Sequence, residues 1–193
     1  MASNDQIVFI ILIVIFIASF IIGYFQYKKR IELLTYQAEK RGGEVIAKNL
    51  FSRTRLLLPY RGEKIEIYSV PGSRYSPPKT VAQIKSNMLR FPEMRIVSNS
   101  LWQKMLSAMG RERILTGNDE FDKRFAVKSE DPYSALRLLP EDLKARLLEP
   151  QFRSLDVNMK TQEFSMTILS IPRNNEEYDL FIDTLFLVLQ KTY

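Results

Sequence analysis

Residues 7–25 read IVFIILIVIFIASFIIGYF, an apolar run broken only by Ser19, Gly23 and Tyr24. At about 1.5 Å per residue a helix of this length nearly crosses a hydrocarbon core of about 30 Å. A chain in hydrocarbon must satisfy its own backbone polar groups, so the run predicts a single membrane-spanning helix. A secretory signal would carry a basic amino-terminal region and a shorter apolar stretch ending at small residues. Here Asp5 precedes the run and no Ala-x-Ala site follows it, so the segment is expected to remain attached. Ser19 and Gly23 have the small-xxx-small spacing that lets a second helix approach, but a lone match of this kind is better read as plain lipid exposure.

The flanks set the expected orientation. No Lys or Arg precedes the run, whereas Lys28, Lys29 and Arg30 follow it directly, and Tyr24, Phe25 and Tyr27 stand where aromatic rings favour the headgroup layer. The expected location is the cell membrane, single-pass, with the amino terminus outside and the remainder in the cytoplasm. The expected divisions are an anchor at residues 1–27, a juxtamembrane helix at 28–43 and a cytoplasmic domain at 44–193.

Beyond the anchor, Ile31, Leu34 and Ala38 fall on one helical face and Gly42 with Gly43 ends the helix. The period then changes. In RLLLPYRGEKIEIYSV two apolar runs flank Arg61 and Gly62, and Ile65, Ile67 and Ser69 alternate with Glu66 and Tyr68, which predicts a hairpin. Alternation returns through Ala82, Ile84 and Met88, and again through Met94, Ile96 and Ser98. A short helix is expected next, capped within 98–100, striped by Leu101, Met105 and Ala108 or Met109, and ended by Gly110. Asp131 and Pro132 open another helix with Leu136 and Leu139 on its apolar face, and PEDLKARLLEP reads as a further one with Glu141 and Asp142 in its first turn. Leu155, Val157 and Met159 alternate in SLDVNMK, and FSMTILSI answers as a second strand. The last helix, capped by Asn174 or Asn175, is expected to bury Tyr178, Phe181, Ile182, Leu185, Val188 and Leu189. Strands, helices, a hairpin and a helix make an α+β domain of antiparallel strands and packed helices, of ordinary single-domain size.

The 193 residues include no cysteine and no histidine. This excludes Ser-His-Asp and Cys-His nucleophile systems, thiolate zinc, disulfides and His-ligated metal or haem. Any catalysis would rely on carboxylates, Lys, Tyr, a Ser-Lys pair or an all-oxygen metal site. The stretch TGNDEFDKRFAVKSEDP, residues 116–132, gathers five carboxylates and is the natural place to look for one. It lacks the alternating ligands, central Gly and terminal Glu of an EF-hand loop, and no GxxxxGK[ST] phosphate loop exists in the chain. Asp119, Glu120 and Asp122 therefore read better as turn and cap residues, with Phe121, Phe125 and Val127 entering the core. No catalytic residue, metal ligand or cofactor is expected. Enzymatic use of these carboxylates with an oxygen-ligated divalent metal is the alternative.

TGNDEFDKRFAV, preceded by a Trp-containing helix and followed by ALRLLPEDLKARLLE, resembles an uncharacterised family of bacterial single-pass membrane-anchored proteins sharing a TG-x-x-x-FD-x-x-F-x-V motif. The resemblance implies a membrane-tethered cytoplasmic domain and carries no assigned activity.

Charge is uneven. Residues 28–74 hold 11 Lys and Arg against 5 Glu, while residues 76–193 hold 17 against 16 acids. Basic groups beside a membrane gain roughly 1 kcal/mol each against anionic headgroups. Lys28, Lys29, Arg30, Arg53, Arg55, Arg61 and Lys64 are thus the candidate contacts with the membrane surface or a partner. Nucleic acid is not expected, because the domain past this region is nearly neutral and its aromatics fall on core positions. The loop VPGSRYSPPKT, residues 70–80, suits either a partner contact or an ordinary crossover. The sequence thus reads as a non-enzymatic interaction or accessory subunit, with the lipid bilayer and a membrane-associated protein as its partners.

Overall fold

A computed structural model of the chain describes residues 4–47, 53–86, 90–101 and 113–191. The predicted anchor and juxtamembrane helix form one continuous helix, α1 (Asn4–Arg41), about 57 Å long at 1.5 Å per residue. From Ile11 to Gln26 its side chains are exposed, and it is the one described helix long and apolar enough to cross a membrane. Its second half belongs to the folded domain, where Leu34, Gln37 and Ala38 are buried. The helix stops at Gly42, whose positive φ of 66° suits a residue without Cβ, and the Gly43 amide donates back to the Ala38 carbonyl at 2.8 Å.

The rest of the domain is an antiparallel sheet with helices packed mainly on one face, an α+β fold; on the other face Val97 and Ala126 are buried against Leu101 of the helix that begins at Asn99. The strands are β1 (Glu44–Ile46), β2 (Arg55–Tyr60), β3 (Glu63–Val70), β4 (Lys79–Lys85), β5 (Met94–Ser98), β6 (Phe125–Ser129), β7 (Leu155–Lys160) and β8 (Glu163–Ile168). They lie in the order β1-β2-β3-β4-β8-β7-β5-β6. The hairpin predicted at Arg61 and Gly62 is present, both residues adopting the positive φ that a tight two-residue connection between twisted strands favours. Pro59 sits inside β2 without disrupting the ladder, since β1 pairs only as far as Leu57 and leaves that outer edge open.

The α-helices described in full after α1 are α2 (Asp119–Arg124), α3 (Pro132–Arg137), α4 (Glu141–Leu147) and α5 (Asn175–Lys191). The helix expected after Ser98 begins at Asn99, and Met105, Ala108, Met109 and Gly110 lie outside the described residues, as does Met88. Asp131 caps α3 through the amides of Tyr133 and Ser134, with Pro132 in the first turn. The apolar face of α3 differs from the expected one: Ala135 and Leu139 are buried, whereas Leu136 is 38% exposed. In α5 every residue expected inside is inside, and its cap is Asn174, whose side-chain oxygen accepts from the Glu177 amide at 2.8 Å.

The core lies between the helices and one sheet face, drawing Leu56 and Leu58 from β2, Ile65 and Ile67 from β3, Val157 from β7 and Met166 from β8 against α5. The opposite face is largely polar. Arg55 pairs with Glu66, Gln83 donates to Glu66, Arg95 grips Asp156 and Lys85 pairs with Glu163.

Candidate functional site

The acidic stretch resolves into a folding element. Asn118 caps α2 by accepting from the Phe121 amide at 3.1 Å. The two carboxylate oxygens of Asp122 each accept from the Thr116 amide at 3.0 Å, and the Thr116 hydroxyl donates to one of them at 2.9 Å. Asp122 is thereby committed to holding the preceding loop, while Asp119 and Glu120 point outward. Phe121 and Phe125 are fully enclosed with ring centroids 5.0 Å apart. Arg124 lies over the Phe125 ring at 5.7 Å and donates to the carbonyls of Leu148 and Glu149, tying this element to the end of α4. Among the described residues no three acidic side chains are grouped so as to hold a metal ion. Replacing Asp119 with Asn and Glu120 with Gln is accordingly expected to change stability by no more than about 0.5 kcal/mol. It should also leave the melting temperature equally insensitive to Mg2+ and Ca2+, and a metal-dependent rise present in the parent and lost in this variant would contradict the assignment.

The predicted basic positions separate. Side-chain contacts of α1 with α5 run in step along both helices: Gln37 donates to the Asn175 carbonyl, and Arg41 reaches Asp179 and Asp183. The two helices therefore run in the same sense, and the start of α5 is the end nearer the apolar segment. Tyr60, whose hydroxyl donates to the Leu189 carbonyl at 3.0 Å, marks the remote end. Arg61 stacks over Tyr60 there at 5.6 Å, and Lys64, on the adjoining strand, is paired with Glu44. Arg53, over the Tyr68 ring at 5.7 Å, and Arg55, paired with Glu66 at 2.7 Å, lie toward the opposite end of the sheet. Lys28 and Lys29 are exposed and Arg30 is half-buried on α1.

At the end of the domain where α1 enters, a groove of about 880 Å³ opens between that helix, the loop before β4, the segment after α4, the segment after β8 and the start of α5. Its apolar wall includes Leu33, Leu169 and Ile171, with Pro78, Pro150 and Pro172 at its corners. Lys29, Arg30, Arg153 and Arg173 line it, with Glu177 as the one acid. The Glu177 carboxylate is already engaged, accepting from the Arg173 amide at 2.8 Å. Among the described residues none of the four cations is joined to an acid by an ion pair. The same end carries the β3–β4 loop, in which Tyr75 is 90% exposed with Arg74 over its ring at 5.8 Å.

Sequence reading found two of these four cations. Arg153 and Arg173 sit in the part of the chain whose overall charge is nearly balanced, and only the β4-β8 and β7-β8 pairings bring them beside α1. A signal was nonetheless present, since each stands in a Pro-containing connection bounding a strand, EPQFRS before β7 and IPRNN after β8.

Comparison with solved structures places the architecture beside the crystal structure of the mycobacterial trehalose monomycolate transport factor A, TtfA, at a TM-score of 0.52. The two chains are 14% identical over 84% of this chain and 95% of that one. The likeness is one of fold. No family model matches the sequence, and no curated protein does.

Proposed function

We propose that the chain is a single-pass, non-enzymatic accessory subunit of a membrane-associated protein assembly, with its amino terminus outside and its α+β domain beneath the cytoplasmic leaflet. The observation that carries this reading is the continuity of α1. An apolar helix runs without interruption into a domain core and is clamped there by Arg41, so a folded body is held at a set height and bearing under the bilayer. Such a device positions a surface for a neighbour. The polar outer face of the sheet, bearing Arg55, Glu66, Gln83 and Arg95, is the surface offered sideways. The charge flank of Lys28, Lys29 and Arg30 supports the orientation. The family resemblance carried by TG-x-x-x-FD-x-x-F-x-V agrees with a tethered domain of this kind, and a protein described as a transport factor shares the fold.

A reporter fused after Tyr193 is expected to be active only as a cytoplasmic reporter. The full chain, extracted in mild detergent, is expected to retain a membrane protein in constant stoichiometry, and that retention should fail when Glu66 and Gln83 are replaced by Lys while the domain stays folded. External reporter activity would overturn the orientation. A protein that migrates alone under all extraction conditions would overturn the subunit reading.

A further inference from the structure

We infer that the groove between α1 and the start of α5 binds the phosphate headgroup of an anionic phospholipid of the adjoining leaflet. The inference deepens the membrane-anchored reading and rests on α1 crossing the bilayer.

The first argument is height. Lys29 and Arg30 follow Phe25 by four and five residues, so they stand about 6 to 8 Å below the end of the apolar segment, inside the Debye length of about 8 to 10 Å at physiological salt. A lipid phosphate at the bilayer surface therefore lies within reach of side chains as long as Lys and Arg. The second is charge. Four cations from three separate parts of the chain, α1, the connection before β7 and the connection before α5, converge on one concavity. Glu177, one oxygen of which accepts from the Arg173 amide, is the one acid set against them in the lining. Folding brings these four cations together around a single carboxylate, a net excess of positive charge that a further anion relieves. Guanidinium groups, which bind phosphate oxygens in pairs, supply three of the four.

The third argument is the wall. A site for free phosphate needs only polar donors, but here Leu33, Leu169 and Ile171 continue the groove with apolar surface. That combination fits an amphiphile whose headgroup meets the cations and whose glycerol and first methylenes lie along the wall. The 17-residue α5 adds the positive end of its dipole at the same place. Exposed Tyr75, on the loop beside Pro78, supplies an amphipathic ring at the same end of the domain.

The test uses the full chain in a neutral detergent, with thermal melting followed as phosphatidylglycerol, phosphatidylcholine or inorganic phosphate is titrated in. Phosphatidylglycerol is expected to raise the melting temperature saturably, with phosphatidylcholine and inorganic phosphate giving little change. The double variant Arg153→Gln, Arg173→Gln replaces two exposed side chains and should keep the circular dichroism of the parent. Its apparent affinity for phosphatidylglycerol should fall about tenfold or more. The charge-matched control Lys123→Gln, Lys160→Gln, away from the groove, should bind as the parent does. An equal response to phosphatidylcholine, an equal loss in the control, or a full response to inorganic phosphate alone would overturn the assignment. Detergent removes the question of which side the domain faces, so this result can fail while the reporter result stands, and the reverse.

Discussion

Phe125→Ala is expected to cost about 3 to 5 kcal/mol, enough to remove a large share of the roughly 5 to 15 kcal/mol that holds an ordinary domain together. Phe125 is 1% exposed, begins β6 at the inner edge of the acidic stretch, and packs against the equally enclosed Phe121. Its ring also supports Arg124, whose two donations to the carbonyls after α4 depend on that placement. Removing the ring leaves a cavity that neighbouring strands cannot close, because β6 is held to β5 in fixed register from Ser98↔Phe125 to Met94↔Ser129. Urea denaturation of the full chain in detergent measures the loss. Asp122→Asn serves as the comparison, since an amide oxygen still accepts from Thr116, and should cost no more than about 1 to 2 kcal/mol. A neutral Phe125→Ala would mean that the ring contributes to something other than the core.

Arg41→Ala is expected to cost about 2 to 3 kcal/mol and to loosen the last turn of α1 against α5. The Arg41 side chain is only 10% exposed and is gripped by Asp179 at 2.8 Å and Asp183 at 2.7 Å, with Gln37 as a further acceptor. Burial works against its charge, but its hydrogen bonds to Asp183 and Asp179 prevail and its pKa lies above the ordinary value. Arg41→Lys should fall between parent and Ala, since an ammonium cannot reproduce the planar fork. The same clamp predicts a pH dependence. Burial raises the Asp179 pKa, yet donation from Lys40 and Arg41 outweighs it and leaves the carboxyl below its usual 3.8. A carboxylate favoured in the folded state stabilises above its unfolded pKa and ceases to do so as pH falls through the folded value. Stability should therefore decline as pH drops below about 3.8, more steeply in the parent than in Asp179→Asn. Melting temperature against pH for both proteins is the measurement.

What could be seen in the sequence was local. The apolar run, the Ile65 and Ile67 alternation, the β7–β8 hairpin and the buried stripe of α5 each express a period within a few residues, and each is where it was expected. The stripe of α3 was misread because a six-residue helix is too short for period to decide between Leu136 and Ala135, which differ by one step of rotation. The order of the strands was not legible. β5 lies between β7 and β6, and β4 beside β8, through connections that no turn chemistry announces. The groove depended on that order, so its cations were only half visible. Lys29 and Arg30 stood out beside the apolar run, whereas Arg153 and Arg173 acquire meaning only when the sheet folds them back to the anchor.

A helix that passes from lipid into a protein core without a joint has an angular phase as well as a length. Each residue advances it by about 100° and 1.5 Å. One alanine inserted after Arg30 would swing the whole domain by roughly a quarter-turn about the membrane normal, while four would bring it nearly back to its first bearing about 6 Å deeper. The chain is in this respect a spindle, and a turn given to its apolar segment by a neighbouring helix would be carried into the domain through the contacts of Leu34, Gln37 and Arg41.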